Sequence, residues 1–560
     1  MNHYRWNLLP LTPDSNLGSS SGFPPLLAQL LYNRGVREPS QLEPFLTADK
    51  RLSCDPFQLP DMQLAIARIY RALLSGENIA IYGDFDADGI TGTALLVKGL
   101  SSLGGKVTPY IPHRLTEGYG LKTAALEKLR QQGISLVISV DCGITALAEV
   151  KRAKRFKLDI VITDHHTPLA EIPAAVAIVN PRRADSSYPF SELTGAGVAI
   201  KLLQALFESL GKQGQADEML DLVAVGTIAD MAPLSGENRY WVKQGLKLIN
   251  TNPRLGIREI ITQAGLTIGS LDAESISWII APRLNAAGRL AHAMTSYKLL
   301  MTDSPPEARG LAIWLEQKNE ERQRLTSKAL NKARAQVAAE GISPLLIASD
   351  RDYPVGIAGL VAGRLAEEFY RPSIVIRTGE FTSSGSCRSI PEFNIILALN
   401  QCRQLLSQFG GHSQAAGFIL PTKNLPRLKQ HLGELVTAHL SGVDLRPQLD
   451  IDAEAKLPEL SGNTFNLIQQ LAPFGRGNPA PVFLTRGAEV IDCQTMGGNG
   501  EHLRFRLRQG GVIWDGVGFR MGSARAEVSP NLDIVYNMEI DRWRGEERLR
   551  LNILDFAPAR

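Results

Sequence analysis

Short continuous apolar runs alternate with helix-like stretches between residues 78 and 180 of the chain. The apolar runs lie at residues 78–83, 136–140, 160–163 and 175–179. The helix-like stretches lie at residues 91–103, 123–132 and 146–157. Continuous rather than alternating hydrophobicity predicts strands that are buried on both faces, and the strand–helix alternation predicts a parallel, doubly wound α/β sheet.

Helical periodicity dominates residues 26–45 and 198–261, and a long helical pattern runs from Ser304 to about residue 339. The middle of that pattern, residues 316–324, is polar on every face, which is typical of a helix that bridges two domains. A second, smaller α/β unit follows, with strands at 344–348 and 373–376 and helices at 359–370 and 395–409. After Gly442, alternation at 501–517 and 538–554 indicates β structure. The predicted domains are a helical segment at 1–50, an α/β domain at 51–303, a bridging helix at 304–340, a smaller α/β domain at 341–441 and a β-barrel at 442–560.

Composition excludes several classes of protein. The chain has 560 residues, of which 44% are hydrophobic and 21% charged, an ordinary globular balance. It contains no run of 18 apolar residues, and residues 1–16 lack a continuous apolar region, so we expect neither a membrane span nor a secretory signal. The five cysteines form no CxxC pair, which favours reduced thiols and a cytoplasmic location. A net charge of +3 says little about a nucleic-acid partner.

Acids and histidines directly follow three of the predicted strands: Asp84, Asp86 and Asp88, then Asp141, then Asp164, His165 and His166. Because ligands bind at the carboxyl ends of strands in such a sheet, we expect these groups to converge on one edge. Five acids held close together would repel one another unless cations lie among them. Mixed carboxylate and imidazole ligands suit Mn²⁺, Mg²⁺ or Fe better than a structural zinc.

The acidic segments also have other interpretations. The Asp84–Asp88 spacing matches the start of a calcium loop, but Leu95 stands where such a loop needs Glu, and the segment follows a strand. Any one segment alone would more simply be a solvated turn, whereas three at one sheet edge favour a site. Asp230 ends an apolar stretch, where a carboxylate opposes the helix dipole. It is either simply exposed or a further ligand for a metal.

Two carboxylate-rich cation sites about 3.5–4 Å apart are the usual machinery for displacement at phosphorus. One cation prepares a hydroxide, and both stabilise charge on the attacking and leaving oxygens. The sequence therefore predicts hydrolysis of a phosphoester or phosphoanhydride.

The ordered set of residues 84–89, Asp141, 164–166 and Asp230 resembles the DHH phosphoesterase superfamily, and residues 410–417 (GGHSQAAG) resemble the motif of its associated domain. Residues 111–114 (IPHR), 117–120 (EGYG), 285–289 (NAAGR) and 385–389 (GSCRS) narrow the resemblance to the RecJ family over nearly the whole chain. That resemblance implies a single-stranded-DNA-specific 5′→3′ exonuclease that releases 5′-mononucleotides in DNA recombination and repair. It also implies two divalent cations, Mn²⁺ or Mg²⁺. The protein is expected to be a monomer that works with a single-strand binding protein and a helicase.

The resemblance further implies a role for each matching residue. The metal ligands would be Asp86, Asp88, Asp141, His165 and Asp230, with Asp84 either a ligand or a support for the others. His166 would contact the scissile phosphate or assist the leaving group, and His412 would approach the same phosphate from across the cleft, so that Asp141, His166 and His412 form the catalytic set. The residues expected around the DNA are Arg114, Ser386, Arg388 and Ser389 at the 5′ end and Arg289 on the strand.

Taken singly, these DNA-facing residues also have ordinary interpretations: a surface cation at Arg114, a helix cap at Arg289, a polar turn at residues 386–389 and a histidine among turn glycines at 412. The ordered set outweighs them. One departure from the family is visible, because Tyr353 stands where a Trp-His-Pro pattern would place histidine.

Alternation in the C-terminal region places Arg504, Arg506 and Arg508 on one strand face, opposite apolar residues. Trp514, Phe519 and Trp543 supply aromatic rings that can stack on bases, and a small barrel of the OB type fits this pattern. A half-buried sheet with a solvated outer face fits it equally well, and the resemblance favours single-strand binding.

Two other functions remain open at this point. One is a DHH-family phosphodiesterase of short oligonucleotides or cyclic dinucleotides, which needs no β domain. The other is a non-catalytic replication or repair scaffold, whose mark would be degenerate metal motifs, whereas all the motifs here are intact.

Overall fold

The structure is a computed structural model that describes residues 4–12, 23–541 and 547–559. Its strands are β1 Arg5–Leu8, β2 Asn78–Tyr82, β3 Lys106–Tyr110, β4 Ile134–Val140, β5 Asp159–Thr163, β6 Ala177–Val179, β7 Leu346–Asp350, β8 Ser373–Arg377, β9 Thr382–Arg388, β10 Gln408–Gly411, β11 Ala415–Pro421, β12 Gln448–Ile451, β13 Ala453–Glu454, β14 Phe483–Met496, β15 His502–Gln509, β16 Val512–Gly518, β17 Asn531–Asp541 and β18 Arg548–Pro558. Its helices are α1 Pro25–Asn33, α2 Pro39–Thr47, α3 Met62–Leu74, α4 Ala87–Ser102, α5 Thr123–Gln131, α6 Leu147–Arg155, α7 Gly195–Ser209, α8 Leu220–Ala229, α9 Gly236–Thr251, α10 Leu255–Gln263, α11 Ala273–Ser275, α12 Ala281–Leu290, α13 Met294–Met301, α14 Pro305–Glu340, α15 Val355–Phe369, α16 Ile395–Gln401, α17 Leu425–Leu440 and α18 Thr464–Gln469.

The chain forms two compact units. Unit 1 comprises Met1–Cys54, Ala232–Lys243 and Arg446–Arg560, and unit 2 comprises Asp55–Met231 and Gln244–Leu445. All the residues predicted to bind metal or the 5′ end of DNA belong to unit 2. The candidate site therefore lies within one unit.

The first sheet of unit 2 is parallel throughout, with the strand order β3-β2-β4-β5-β6. The chain leaves β2 for the β3 edge and then returns to the other side of β2 as β4, which makes the boundary between β2 and β4 a topological switch point. Ligands bind outside the carboxyl ends of strands at such a point. The predicted doubly wound fold is confirmed, and the acidic segments leave β2, β4 and β5 at this edge.

Two elements of this sheet differ from the prediction. Strand β3 was missed because its alternating, partly exposed sequence is that of an edge strand. Helix α4 begins at Ala87 rather than residue 91, because Asp86 caps it by accepting the N–H groups of Asp88 and Gly89. The third acid of the first motif therefore lies on a helix, not in a loop.

Helix α14, with 36 residues, contains the predicted polar segment and connects the two sheets of unit 2. Its first half buries Ala312 and Leu315 and packs on α10, α12 and α13. Its second half buries Ala329 and Ala333, which share a hydrophobic cluster with Ile357 of α15. The helix thus bridges the two α/β parts, as its polar middle predicts.

The second sheet of unit 2 has the order β10-β11-β9-β8-β7 and is mixed, with only β7 and β8 parallel. The single helix predicted at residues 395–409 is wrong: α16 ends at Gln401, and strand β10 begins at Gln408. Strand β9 was not predicted, because its alternating buried positions are Ser383, Gly385 and Cys387, which are too small or polar to show as an apolar pattern.

Unit 1 contains a closed barrel. Strands β14-β15-β16-β18-β17 are paired in that order, and β14 also pairs with β17. Leu503, Phe505 and Leu507 point into the core, while the arginines between them are exposed, as the alternation predicts. Leu30 and Leu31 of α1 belong to the same core cluster, so the N-terminal helices are built into this unit. Among the described residues, no helix has both the length and the apolar character needed to cross a membrane.

Candidate active site

The first acidic segment joins strand β2 to helix α4 and places three carboxyl groups in fixed positions. Asp86 accepts the N–H groups of Asp88 and Gly89 at 3.1 and 3.2 Å. The Asp88 carboxylate accepts the N–H groups of Gly195 and Ala196 at 2.6 and 2.9 Å. The latter two belong to the first turn of α7, where the helix dipole favours a negative charge. Backbone groups of two helices therefore hold the acids before any ligand binds.

Asp141 follows strand β4 in a left-handed backbone conformation, with φ at 60°. Residues other than glycine rarely adopt this conformation, which is common at functional sites. Its N–H donates to the Thr163 carbonyl at 3.0 Å, so β5 holds the bend. The bend directs the Asp141 carboxylate toward the acids that follow β2.

One imidazole nitrogen lies among three carboxylates. The Nε2 atom of His165 is 3.0 Å from Asp141, 3.8 Å from Asp230 and 4.0 Å from Asp88. Two groups of three residues each place their ligand atoms within 4.8 Å of one another. One group is Asp88, His165 and Asp230, and the other is Asp84, Asp86 and Asp141. A further set joins Asp141 to His165 and His166. Asp230, the acid at the end of α8, thus lies with the cluster.

The electrostatics of this cluster are unfavourable for the protein alone. Burial, reinforced by Asp86, raises the pKa of Asp88 to about 7. Burial also raises the pKa of Asp141 and Asp230 well above the ordinary value, with Asp88 adding repulsion in both cases. Burial and the neighbouring His166 lower the pKa of His165 to about 3, which leaves its imidazole neutral and able to bind a metal.

Asp84 supplies a direct test of whether the site suits a cation. Its Oδ1 atom is buried and has no hydrogen-bond partner within the described part of the chain. Burial and the charge of Asp86 raise its pKa well above the ordinary value. A buried carboxylate oxygen without a partner is costly unless a charge neutralises it. The residues therefore fit divalent cations that accept carboxylate and imidazole ligands, such as Mn²⁺ or Mg²⁺.

Asp164 has a different role from the other acids. One of its oxygens accepts the N–H of Ile144 at 2.9 Å, and the other lies 2.8 Å from Nδ1 of His166. Burial would raise the pKa of Asp164, but the hydrogen bond and charge of His166 outweigh it and lower that pKa. Burial likewise opposes the charged form of His166, yet Asp164 raises the pKa of His166 to about 9. Asp164 therefore holds His166 as an imidazolium.

His412 reaches this site from the second sheet. It lies in the turn between β10 and β11, where its N–H donates to the Ala415 carbonyl at 2.8 Å. Its ring is 6.0 Å from the ring of His166, and the two planes are parallel to within 5°. Burial and the charges of His166 and Arg182 lower the pKa of His412. A charged and a neutral imidazole thus face each other between the two sheets of unit 2.

Several guanidinium groups lie beside the acids. The Arg114 guanidinium covers the Phe85 ring at 4.6 Å. Burial, together with Arg114 and Arg322, lowers the pKa of Arg289 to about 9. Burial lowers the pKa of Arg388, and Arg114 contributes to this shift. Mutual repulsion between buried cations indicates a place that suits an anion.

Arg388 belongs to strand β9, so the alternative of a polar turn at residues 386–389 is wrong. Its side chain lies over helix α15, where a Cβ at Gly359 would come within 3.0 Å of Nη2. Ser389 follows the strand, and its hydroxyl donates to the Phe393 carbonyl at 2.6 Å. Ser386 is on β9, opposite Gly417 of β11. All five predicted DNA-facing residues belong to unit 2, and the hydroxyl of one of them, Ser389, is bound to its own loop.

Tyr353, at the position where the resemblance leads us to expect histidine, is buried. Its hydroxyl donates to Oε1 of Gln336 on α14 at 3.0 Å. Its ring belongs to the cluster that joins α14 to α15. In this chain the residue therefore secures the bridging helix.

Sequence reasoning missed several residues that complete the site. Asn285 accepts the N–H of Ala87 at 2.8 Å and so fixes the start of α4. Asn180 donates to the His166 carbonyl at 2.9 Å. The hydroxyl of Tyr119 lies 3.1 Å from the Asp141 carbonyl oxygen and 3.2 Å from Nδ1 of His166. Asn285 and Tyr119 belong to motifs visible in the sequence, but their partners are distant in the chain.

The barrel of unit 1 exposes the predicted arginines, but acids offset part of their charge. Arg508 pairs with Glu489 at 2.5 Å, and Arg506 lies 3.8 Å from Asp515. Phe519 is 43% exposed, packs edge-on against His502 and has the Arg550 guanidinium 5.7 Å from its ring centroid. Trp543 lies outside the described residues.

Three family models match the chain. They are the DHH family N-terminal domain over residues 78–227, the DHHA1 domain over residues 342–438 and the RecJ OB domain over residues 451–555. Together with the acidic edge of the first sheet, they define the protein as a DHH-family phosphoesterase that carries a DHHA1 domain and an OB domain.

Relatives of known name narrow the assignment. The single-stranded-DNA-specific exonuclease RecJ of Bacillus subtilis is 38% identical, with 95% of this chain and 68% of the relative aligned. The protein of the same name from Escherichia coli is 32% identical over 96% of both chains. The crystal structure of RecJ in complex with Mn²⁺ from Thermus thermophilus has a TM-score of 0.87 and 32% identity, covering 99% of this chain and 80% of that one. The chain belongs to the RecJ family.

Proposed function

We propose that this protein is a single-stranded-DNA-specific exonuclease that hydrolyses phosphodiester bonds from the 5′ end and releases 5′-mononucleotides in DNA recombination and repair. The observation that carries the proposal is the acidic cluster beside the His166–His412 pair, whose ring centroids are 6.0 Å apart. Within this cluster Oδ1 of Asp84 is buried and has no hydrogen-bond partner among the described residues. Its relatives at 32–38% identity are named single-stranded-DNA-specific exonucleases, which supports the substrate.

The proposed ligands form two groups. Asp84, Asp86 and Asp141 would hold one cation, and the second set, Asp88, His165 and Asp230, would hold the other. Two bound Mn²⁺ or Mg²⁺ ions would lower the pKa of an attacking water and neutralise charge on the phosphate. A count of two is supported by two ligand sets that share no residue.

His166 and His412 are proposed to act on the scissile phosphate. With a pKa of about 9, His166 carries a proton at neutral pH that it can share with a phosphate or leaving oxygen. A base stacked at about 3.4 Å from each ring would need roughly 7 Å. The 6.0 Å between the parallel rings is too narrow for a base to insert between them, so the proposed phosphate contact is made at the ring nitrogens and not between the ring faces.

The guanidinium groups of Arg114, Arg289 and Arg388 are proposed to bind the 5′ end and the adjoining strand, with Ser386 and Ser389 beside them. The pKa values of Arg289 and Arg388 are lowered by burial and by the charge of Arg114. A bound phosphate would neutralise this repulsion between the guanidinium groups. Exposed Phe519 and the arginines of the barrel would bind the remaining strand. A monomer acting with a single-strand binding protein and a helicase belongs to the same proposal.

The test is a divalent-cation-dependent degradation assay on single-stranded oligonucleotides whose 5′ or 3′ end is blocked. We expect Mn²⁺ to support mononucleotide release from the 3′-blocked strand and not from the 5′-blocked strand. Equal rates on both would refute the polarity, and cleavage restricted to dinucleotides would instead indicate a short-oligonucleotide phosphodiesterase. Asp141→Ala should abolish hydrolysis without unfolding the protein, and a fully active variant would refute the assigned site.

A further inference from the structure

The loop of residues 111–120 is held firmly against the first sheet. The hydroxyl of Tyr110 donates to the carboxylate of Glu117, which also accepts the N–H of His113 at 2.8 Å. The hydroxyl of Tyr82 donates to the Gly120 carbonyl at 3.1 Å. Bonds at both ends of the loop fix Tyr119 between them.

The Tyr119 hydroxyl bridges two residues of the candidate site. Its O–H donates to the Asp141 carbonyl at 3.1 Å. Its oxygen lies 3.2 Å from Nδ1 of His166, which also faces Asp164 at 2.8 Å. This pattern is consistent when Nδ1 of His166 carries a hydrogen, because the hydroxyl oxygen then accepts while its own hydrogen points to Asp141.

Asp141 is the residue that most needs such a contact. Its left-handed backbone is unfavourable for a residue with a side chain. Its N–H is bound by Thr163, and its carbonyl is bound by Tyr119. Removing the second bond would free the carbonyl, and with it the peptide plane that orients the carboxylate.

We propose that Tyr119 is a positioning residue whose hydroxyl fixes the carboxylate of Asp141 relative to the ring of His166. It acts through these two groups and not by contact with the reacting atoms. The proposal deepens the proposed function and rests on it for the assignment of Asp141 as a metal ligand and His166 as a phosphate contact. The ring of Tyr119 is 44% exposed, so stacking on a base is the competing role, and it depends on the ring rather than the hydroxyl.

The test compares Tyr119→Phe, which removes only the hydroxyl, with Tyr119→Leu, which also removes the ring. Tyr70→Phe, at an exposed tyrosine of α3, is the matched control and should behave as the parent. For Tyr119→Phe we expect kcat on single-stranded DNA to fall about tenfold or more with KM within about twofold of the parent. We also expect the Kd for Mn²⁺, measured by calorimetry without DNA, to rise about threefold or more.

A Tyr119→Phe variant with an unchanged kcat, or with an unchanged Kd for Mn²⁺, overturns the proposal. If kcat and the Kd for Mn²⁺ are unchanged in Tyr119→Phe while KM rises in Tyr119→Leu, the proposal is overturned and the ring is assigned to base stacking. Failure of the proposed function is a separate result, because the parent protein would then degrade no single-stranded DNA, whereas the Mn²⁺ titration would still compare the variants.

Discussion

Helix α7 begins in direct contact with Asp141, and the substitution Gly195→Ala tests how exactly that acid must be placed. An ideal Cβ at residue 195 would lie 2.4 Å from the Cβ and 2.9 Å from the Cγ of Asp141. The N–H of Gly195 also donates to Asp88 at 2.6 Å. Gly195 is the first helical residue and does not have a left-handed backbone, so alanine can adopt its backbone conformation. The unfavourable effect of the substitution is therefore the close contact with Asp141.

The size of the effect follows from these distances. Non-bonded carbon atoms prefer about 3.5–4.0 Å, so the start of α7 and Asp141 must separate by roughly 1 Å or more. Asp141 cannot retreat freely, because its N–H and its carbonyl are both hydrogen-bonded. A displacement of about 1 Å at a catalytic group costs on the order of 100-fold in rate, and overpacking of this kind costs about 1–3 kcal/mol of stability. We expect kcat to fall by about two orders of magnitude in a protein that remains folded.

The assay is the initial rate of nucleotide release from a 3′-labelled single strand in Mn²⁺, with a thermal melt of each variant. Gly99→Ala is the matched control, because its Cβ would meet Leu203 at 2.5 Å, an equally close contact with a flexible side chain. It should lose similar stability and keep its rate within about threefold. If folded Gly195→Ala also kept its rate within threefold, the placement of Asp141 would not control the reaction.

Three further predictions follow from the site. Chelation with EDTA should abolish hydrolysis, and Mn²⁺ should restore the rate and raise the melting temperature, because a ligand that binds only the folded state stabilises it. In EDTA, the free energy of unfolding should fall as the pH rises from 6.5 to 9, measured by denaturant titration. The folded-state pKa of His166 is about 9, above its ordinary value, so its contribution is lost as the pH rises through that range. The folded-state pKa of Asp88 is about 7, so its contribution is lost earlier, between about pH 4 and 7, and Mn²⁺ should remove that part. Gly359→Ala should weaken the preference for a 5′-phosphorylated strand, because its Cβ would lie 3.0 Å from Nη2 of Arg388, whereas Gly363→Ala, 3.8 Å from Cγ of Arg388, should leave that preference unchanged.

The sequence was sufficient to predict the sheet edge and the residues that gather there. Strand–helix alternation places the ends of β2, β4 and β5 side by side, and the motifs follow those ends. What the pattern could not show is orientation. Asp164 has the same place in the chain pattern as the other acids, yet its carboxylate turns to Ile144 and His166 rather than toward the cluster. That difference depends on the turn after β4 that contains Ile144, and a turn has no hydrophobic periodicity from which its conformation could be predicted.

The second sheet was harder to predict, for a physical reason. Strand β9 carries Arg388, but its buried positions are Ser383, Gly385 and Cys387. These side chains bury little apolar area, so the strand shows no hydrophobic pattern in the sequence. Its existence depends on pairing with β8 and β11. The contact of Arg388 with Gly359 is a property of two packed elements, and neither residue indicates it alone.

The placement of the acids also explains why so unfavourable a cluster persists in the fold. Asp86 and Asp88 accept N–H groups from the starts of α4 and α7, and Asp141 is fixed between β5 and the Tyr119 hydroxyl. The bonds to Asp86 and Asp88 compensate those two carboxylates, and the bonds to Asp141 hold its backbone, so repulsion between the acids cannot disperse them without leaving backbone groups unpaired. The Oδ1 atom of Asp84 is buried and has no hydrogen-bond partner among the described residues. The spacing of the ligands is therefore set by the backbone before a cation binds, and the cation is required to neutralise the charge but not to assemble the site.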